Sequence, residues 1–254
     1  MAKVDNNISG RLVLITGASG GIGSACARRL YSQGANLALT YSTNSSSVDT
    51  LIQSLHSSIN QRCSSHKVDV ASADAITRLF DEIKSQHGHH PDILISNAGY
   101  GKRISNIVDI PLDEFDKMYT VNLRASFLLS KLSVPHMSEQ GWGRIIFVSS
   151  IAAIGGGING CHYAASKAGL TGMMKNLSQK LAGDGITVND ISPAMIGDTG
   201  MIKDAKAVEG TPGDVKNIPV GRLGTPEECA NAVSMLCETG YITGQSIFLT
   251  GGLK

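Results

Sequence analysis

The chain has 254 residues, of which 42% are hydrophobic and 17% are charged, and its formal net charge is +1. These values are typical of a globular protein with one α/β domain. A near-neutral charge balance excludes a strongly basic surface for nucleic acid, and no apolar run approaches the ~20 residues that span a bilayer. We therefore expect neither a nucleic-acid partner nor a membrane partner.

The amino end contains no apolar segment of the kind that directs secretion, so we expect a cytoplasmic protein. The five cysteines, at positions 26, 63, 161, 229 and 237, show no zinc-binding spacing, and their odd number argues against a disulfide framework. The stretch His87–His90 has no acidic or cysteine partner at a recognisable spacing, so it predicts a solvated loop, and we expect no metal site.

Apolar β-branched runs alternate with helical stretches along the whole chain. The predicted strands are Arg11–Thr16, Asn36–Tyr41, His66–Val70, Asp92–Ser96, Arg144–Ser149, Thr187–Ile191 and Ser246–Leu249. The predicted helices are Ile22–Gln33, Val48–Ile59, Ala73–Gln86, Leu112–Met137, Tyr163–Ala182 and Pro226–Cys237. Continuous apolar strands suit a parallel sheet buried on both faces. The pattern predicts a single α/β domain over residues 1–254, a Rossmann-like doubly wound parallel sheet of about seven strands flanked by helices.

One long segment, Ile196–Pro219, lacks clear periodicity and is rich in glycine and proline. Loops of this length are usually functional, so we interpret it as a substrate lid.

A glycine-rich turn follows the first strand and leads directly into a helix. It reads Thr16-Gly-Ala-Ser-Gly-Gly-Ile-Gly23, a GxxxGxG spacing that differs from the usual GxGxxG. Backbone N–H groups in such a turn, with the helix N-terminus, attract a pyrophosphate. The turn therefore predicts a dinucleotide site, with Gly17, Ser19, Gly21, Ile22 and Gly23 as binding residues.

The end of the second strand bears on the choice between NAD and NADP. An acidic residue there would bond the ribose 2′-hydroxyl and repel a 2′-phosphate. The sequence has Tyr41-Ser-Thr-Asn-Ser45 instead, with no Asp or Glu, and Ser42 offers a hydroxyl to a phosphate. However, no Arg or Lys lies between Arg29 and Arg62, and Gly20 occupies a position where a basic residue would help. We favour NADP(H) over NAD(H).

Tyr163 and Lys167 are four residues apart on a predicted helix, and Ser150 lies thirteen residues upstream. Residues at this spacing share one helix face. An ammonium beside a phenol is expected to lower the phenol pKa, so that the tyrosine can exchange a proton with a carbonyl or alcohol oxygen. Tyr-x-x-x-Lys alone is common, and by itself it equally describes a half-buried aromatic beside a solvated lysine.

Seven ordered motifs together resemble the short-chain dehydrogenase/reductase family along essentially the whole chain. They are Thr16–Gly23, Asp69-Val70, Asn97-Ala-Gly99, Asn122, Ser150, Tyr163-x-x-x-Lys167 and Val188-Asn-x-Ile-Ser-Pro193. The carboxyl-terminal segment is most similar to the 3-oxoacyl-carrier-protein reductase branch.

The resemblance implies a catalytic set of Asn122, Ser150, Tyr163 and Lys167. Tyr163 would act as general acid in reduction, Lys167 would hold the nicotinamide ribose, Ser150 would polarise the carbonyl, and Asn122 would organise a water. It also implies that the remaining cofactor contacts come from Asp69, Val70, Asn97, Ala98, Gly99, Pro193, Ile196 and Thr199, with Thr199 preferred to Asp198.

At two positions the sequence differs from the 3-oxoacyl-carrier-protein reductase branch in a way that bears on the substrate. Carrier-protein reductases use basic residues to dock an acidic carrier, and the aligned positions here are Gly141 and Asp184. We therefore expect a small-molecule ketone as substrate. A 3-oxoacyl thioester reductase and a cofactor-binding regulatory protein remain alternatives, and the reaction direction stays open.

The resemblance further implies a homotetramer or homodimer built on the helices over 112–137 and 163–182 and on the C-terminal strand. Phe127, Leu128, Met173 and Leu177 suit either such an interface or the core.

Overall fold

The computed structural model describes residues 4–55 and 61–253. Seven parallel strands form one sheet in the order β3-β2-β1-β4-β5-β6-β7. The strands are β1 Leu12–Ile15, β2 Asn36–Tyr41, β3 Cys63–Lys67, β4 Ile93–Ser96, β5 Gly143–Val148, β6 Ile186–Pro193 and β7 Ser246–Leu249. The predicted Rossmann-like fold is confirmed, and the strand order reverses between β1 and β4.

Helices cover both faces of the sheet. They are α1 Gly21–Ser32, α2 Ser45–Ser54, α3 Ala73–His87, α4 Leu112–Tyr119, α5 Ala125–Gln140, α6 Ala152–Gly155, α7 Cys161–Leu181 and α8 Pro226–Glu238. One apolar cluster packs α1, α2 and α8 on one face, and a second packs α3, α5 and α7 on the other. Alternate residues of β1, such as Val13 and Leu14, enter opposite clusters, as the period-two geometry of a strand requires. The predicted helix over 48–59 begins at Ser45 and ends at Ser54, and residues 56–59 lie outside the described residues.

The prediction for the third strand is wrong by three residues. The predicted strand was His66–Val70, whereas β3 pairs with β2 from Cys63 to Lys67. Its inward side chains, Ser64 and His66, are polar and bond each other at 2.9 Å. A strand with hydrogen-bonded polar residues on its buried side lacks the apolar pattern on which the prediction rested.

The predicted continuous helix over 112–137 is interrupted. A π-helical turn over Thr120–Arg124 separates α4 from α5, and Asn122 lies inside it. The predicted lid over 196–219 contains two short 3-10 helices, Ala205–Val208 and Val215–Asn217. Within the described residues, no helix is both long and apolar enough to cross a membrane.

Candidate active site

A cavity of about 650 Å³ opens at the carboxyl ends of the central strands. Ligands of open α/β sheets bind at this edge, where the strand order reverses. Sixteen of the residues predicted for the site line it: Gly17, Ser19, Gly21, Ile22, Ser42, Asp69, Val70, Asn97, Ala98, Gly99, Ser150, Tyr163, Lys167, Pro193, Ile196 and Thr199. The other two, Gly23 and Asn122, lie outside this lining.

The glycine-rich turn forms one end of the cavity. Gly17 has a φ of +67°, a backbone conformation that glycine adopts without strain. Gly21 packs against the carbonyl of Asp198, and a side chain at Gly21 would collide with that oxygen. Helix α1 has no side-chain cap and no acidic residue in its first turn. Its first N–H groups are therefore free to attract an anion, which fits the pyrophosphate of a dinucleotide.

Gly23 has a different role from the predicted cofactor contact. A Cβ at Gly23 would lie 2.5 Å from the Gly17 carbonyl oxygen and 2.8 Å from Asn97 Nδ2. The absence of a side chain at Gly23 thus lets Asn97 approach the turn from behind.

Asn97 and Thr16 join the turn after β1 to the loop after β4. Thr16 Oγ1 accepts hydrogen bonds from the backbone N–H groups of Asn97 and Ala98, each at 3.0 Å. Asn97 Nδ2 donates to the carbonyls of Thr16 at 2.8 Å and Gly17 at 3.2 Å. The Asn97 amide therefore fixes the position of the loop after β4 relative to the turn after β1.

The far end of the cavity lies where β2 and β3 end. Ser42, Asp69 and Val70 lie there, together with Thr40, which the sequence analysis missed. The carbonyl of Thr40 accepts a bond from Ala18 N at 2.8 Å, so β2 also holds the glycine-rich turn. Among the described residues that line the cavity, Asp69 is the sole acidic side chain.

Tyr163, Ser150 and Lys167 meet on the wall formed by β5 and α7. The Ser150 hydroxyl lies close enough to the Tyr163 hydroxyl to lower the pKa of the phenol. Ser150 Oγ also accepts the N–H of Ala152 at 3.1 Å, which fixes the serine at the start of α6. Lys167 Nζ donates to the carbonyl of Val148 at 2.8 Å and lies 5.7 Å from the centre of the Tyr163 ring.

The expected lowering of the Tyr163 pKa is wrong for this geometry. Burial raises the pKa of Tyr163, and the hydrogen bond from Ser150 offsets only part of that rise. Burial likewise lowers the pKa of Lys167 to about 8, against a weaker opposing effect of Asp190. Lys167 Nζ donates to the Val148 carbonyl rather than to the phenol, and burial determines the direction of both pKa shifts.

Asn122 ties three elements together from behind the cavity. Its Oδ1 accepts the N–H of Tyr100 at 2.7 Å. Its Nδ2 donates to the Tyr100 carbonyl at 2.9 Å and to Ser166 Oγ on α7 at 3.0 Å. A Cβ at Gly99 would lie 3.4 Å from Lys167 Nζ and 3.5 Å from Asn122 Oδ1. Asn122, Gly99 and Lys167 thus form one compact unit, and the sequence analysis missed the parts played by Tyr100 and Ser166.

The segment after β6 closes one side of the cavity. Ile196, Thr199, Gly200, Met201 and Ile202 line it, whereas residues 203–219 of the predicted lid do not. The Thr199 hydroxyl accepts the N–H of Ile202 at 3.0 Å, so it stabilises a tight turn. Asp198 lies outside the lining and has a φ of +53°, an unusual conformation for a residue with a side chain.

The end of the cavity beyond Tyr163 has a largely apolar wall with cationic side chains beside it. Tyr100, Ala152 and Ile158 line this end, whereas Ile154 is 69% exposed and lies outside the lining. Residues that the sequence analysis missed here are Gly101, Arg103, Lys117, Asn159 and Met195. They come from separate loops, so no local sequence pattern identifies them.

Comparisons with known proteins agree with this architecture. Residues 17–254 match a protein-family model described as "Enoyl-(Acyl carrier protein) reductase". The chain is 36% identical to the 3-oxoacyl-[acyl-carrier-protein] reductase FabG of Rickettsia felis, over 97% of this chain and 98% of the relative. It is 32% identical to dehydrogenase/reductase SDR family member 4 of Caenorhabditis elegans, over 96% and 95% of the two chains. A solved short-chain dehydrogenase/reductase from Serratia marcescens superposes with a TM-score of 0.87 at 33% identity, covering 97% of this chain and 99% of that one.

Proposed function

This chain belongs to the short-chain dehydrogenase/reductase family of oxidoreductases, and on that premise we propose that it reduces a ketone to a secondary alcohol with NADPH. One observation carries the proposal. The side chains of Ser150 and Tyr163 line the same cavity as the residues of the glycine-rich turn at the uncapped N-terminus of α1. A dinucleotide whose pyrophosphate binds at this N-terminus would have its nicotinamide end near the two hydroxyl groups.

The residues present fit such a cofactor. The α1 N-terminus and the glycine turn would hold the pyrophosphate, and Asp69, Val70 and Ala98 would border the adenosine. Pro193, Ile196 and Thr199 would border the nicotinamide, and Lys167 would bond its ribose. When bound, the reduced cofactor supplies a hydride to the ketone carbon.

Tyr163 would supply the proton for the same reduction. Burial keeps the pKa of its phenol raised, so the hydroxyl is protonated at neutral pH and can donate to the ketone oxygen. Ser150 Oγ would be the second hydrogen-bond donor to that oxygen, which stabilises its developing negative charge. Asn122 would act as a positioning residue for the unit that it forms with Gly99 and Lys167. A water molecule beside it would return a proton to the active site after Tyr163 has donated its own.

The preference for NADPH is supported by the residues at the end of β2. Ser42 and Thr40 line that end of the cavity, and no carboxylate stands at Ser42 to repel a 2′-phosphate. A hydroxyl is a weaker partner for phosphate than a guanidinium, so we propose a preference that is modest in size.

A small-molecule ketone is the substrate class that we propose. Asp184 accepts a bond from Ser138 Oγ at 2.9 Å on the exposed surface, where carrier-protein reductases would need a basic residue. An acidic carrier would meet a like charge there. The second candidate is a 3-oxoacyl thioester, favoured by the 36% identity to the Rickettsia felis 3-oxoacyl-[acyl-carrier-protein] reductase. A regulatory protein that binds the cofactor without turnover is the non-enzymatic alternative.

Two further parts of the molecule belong to this proposal. Residues 196–202 would close over the bound substrate as the inner edge of the lid, and the rest of 196–219 would support them. The family resemblance further supports the proposal that the protein functions as a homotetramer or homodimer whose interface includes the long helices α5 and α7.

The proposal is tested by initial rates of NADPH and NADH oxidation with ethyl acetoacetate, an acetoacetyl thioester and a panel of diketones. We expect turnover with NADPH and a higher kcat/KM for a free ketone than for the thioester. A thioester preference would replace the first candidate by the second. NADPH binding without turnover of any ketone or thioester would favour the regulatory alternative.

A further inference from the structure

A second cavity, of about 580 Å³, lies at the opposite edge of the sheet, where β1 and β4 begin. Its wall includes His89, Asp92, His136 and Gln140. These residues come from the loop after α3, the start of β4 and the last turns of α5. None of them takes part in the active site described above.

Three of these side chains present ligand atoms to one point. One nitrogen each of His89 and His136 and one carboxylate oxygen of Asp92 all lie within 4.8 Å of one another. The two imidazole rings stack with their centres 5.2 Å apart. The sequence predicted a solvated loop at His87–His90 because no partner was recognisable, but the fold brings His136 to it from 47 residues away in the chain.

The hydrogen bonds around the cluster bring the ligand atoms together, and His136 must release its Nε2 proton when an ion binds. His89 Nδ1 faces the carbonyl of His90 at 2.8 Å, so Nδ1 carries the proton and Nε2 keeps its lone pair. Metal-binding histidines are typically held in this way by a carbonyl on the other nitrogen. His136 Nε2 lies 3.2 Å from Asp92 Oδ1, so these two atoms are already adjacent.

Asp92 is fixed by its neighbours. Its Oδ2 accepts the N–H of Leu12 at 2.8 Å, and its Oδ1 accepts Gln140 Nε2 at 2.7 Å. Gln140 is itself oriented because Arg11 donates to its Oε1 at 3.0 Å. The carboxylate side chain is only 5% exposed, so its charge is weakly screened and attracts a cation strongly.

We propose that His89, Asp92 and His136 bind one divalent transition-metal ion, with Zn²⁺ as the best-fitting ion. Two imidazoles and one carboxylate form a donor set that zinc accepts, and a fourth position faces the open cavity for water. Zinc bonds of about 2.0–2.1 Å require ligand atoms about 3.3 Å apart in a tetrahedron, so the rings must move slightly inward. The ion would connect the α3–β4 loop, β4 and α5.

The test is zinc titration of the tag-free full-length protein by calorimetry, in competition with a chelator, together with metal analysis after dialysis. We expect one equivalent of Zn²⁺ with a micromolar or lower Kd. We expect His89→Gln and His136→Gln each to weaken binding at least about 100-fold, since even outer partners of a metal site contribute 10–100-fold. His89→Gln is the cleaner variant because it leaves the hydrogen bonds of Asp92 intact.

His90→Gln is the matched control, because its ring faces Phe80 at 5.7 Å and takes no part in the cluster. It should bind zinc as the wild type does, and circular dichroism should show all variants folded. Saturating zinc should also raise the Tm of wild type and of His90→Gln, but not of His89→Gln. Equal zinc binding by all variants, or none by the wild type at 100-fold excess over micromolar protein, would overturn the proposal.

Discussion

Tyr163 and Lys167 lie one turn apart on α7, and both are almost completely buried. Burial acts in opposite directions on their pKa values, because it disfavours the charged form of each group. The phenol therefore remains neutral, and the ammonium becomes easier to deprotonate. In the proposed reduction, Tyr163 therefore stays protonated and can donate its proton. The charge of Lys167, in contrast, depends on pH in the range just above neutral.

The first prediction concerns that charge. The kcat/KM for NADPH reports groups that titrate in the cofactor-free enzyme. Because the pKa of Lys167 is lowered to about 8, we expect this kcat/KM to fall about tenfold per pH unit above pH 8. The physical reason is that neutral Lys167 is a weaker hydrogen-bond donor to the ribose. Initial rates at low NADPH between pH 6 and 10 measure the effect.

Lys167→Arg is the control for this assignment, since a guanidinium stays charged over the whole range. The variant should lose the decline near pH 8, whatever its absolute rate. An unchanged decline in Lys167→Arg would show that another group titrates.

The second prediction concerns the cofactor 2′ group. Ser42→Asp should lower the NADPH-to-NADH ratio of kcat/KM at least about tenfold, because a carboxylate repels the phosphate. Gly20→Arg should raise the same ratio, because Gly20 lines the cavity and a Cβ there meets no atom closer than 3.5 Å. Both ratios come from initial rates with each cofactor. If neither substitution changes the ratio, the end of β2 does not recognise the 2′ group.

At the scale of elements, the turn before α1 and the segment after β6 depend on each other. Gly21 touches the carbonyl of Asp198, and Ile196 forms a bridge with Gly224. The position of residues 196–202 is therefore set partly by the absence of a side chain on α1. A cofactor that binds the turn would also contact this segment.

The third prediction tests this contact. Gly21→Ala should destabilise the protein by about 1–3 kcal/mol, because its Cβ collides with a backbone oxygen. It should also weaken NADPH binding at least about tenfold, since residues 196–202 must shift. Thermal unfolding and NADPH fluorescence titration measure the two effects. Gly20→Ala is the matched control and should change stability by less than about 0.5 kcal/mol, because its Cβ has room. Equal effects of the two substitutions would contradict the account.

Element boundaries show which parts of the sequence pattern were informative. Strands buried on both faces, such as β1 and β4, have continuous apolar runs and were predicted within one residue or two. The edge strand β3 was misplaced because its buried side chains, Ser64 and His66, are polar and hydrogen bond to each other. The strand therefore lacks the apolar pattern that the prediction required. No local sequence pattern predicts the π turn at Asn122, because the hydrogen bonds that stabilise it are made with Tyr100 and Ser166, which are distant in the chain.

At the scale of the whole molecule, exposed apolar side chains bear on assembly. Phe127 on α5 is 51% exposed and Tyr241 before β7 is 100% exposed. Leu128, Met173 and Leu177, which the sequence left open between core and interface, are half-buried and pack against the core cluster. Phe127 is therefore the best-placed residue for a contact through the long helices.

The fourth prediction is that light scattering of the wild type gives the mass of a tetramer or dimer, and that Phe127→Glu lowers this mass. A buried charge without a partner would disrupt an apolar interface. Met235→Glu on α8, at a residue that is 40% exposed, should leave the mass unchanged. A monomeric wild type, or identical masses for all three proteins, would contradict the proposed interface.

Sixteen of the eighteen predicted site residues line the cavity because they follow strands in a fixed order and belong to recognisable motifs. The directions of the pKa shifts of Tyr163 and Lys167 were not predictable from the sequence. A spacing of four positions on a helix places the two side chains near each other, but it does not show how deeply Lys167 is buried. The His89–Asp92–His136 cluster was also hidden, because only the packing of α5 beside β4 brings His136 to the other two. Sequence motifs thus predicted the candidate catalytic and cofactor-binding residues near the strand ends. Contacts between residues that are distant in the chain could be found only in the structure.

The most direct test of the central claim is NADPH oxidation with the best ketone of the panel, by the wild type and by Tyr163→Phe. NADPH affinity is measured on the same samples by fluorescence. We expect the substitution to lower kcat at least about 10²–10⁴-fold, because the proton donor is removed, and to change the Kd for NADPH less than about threefold. A Tyr163→Phe variant that retains near-normal kcat would contradict the assignment of Tyr163 as the acid, and with it the proposed mechanism.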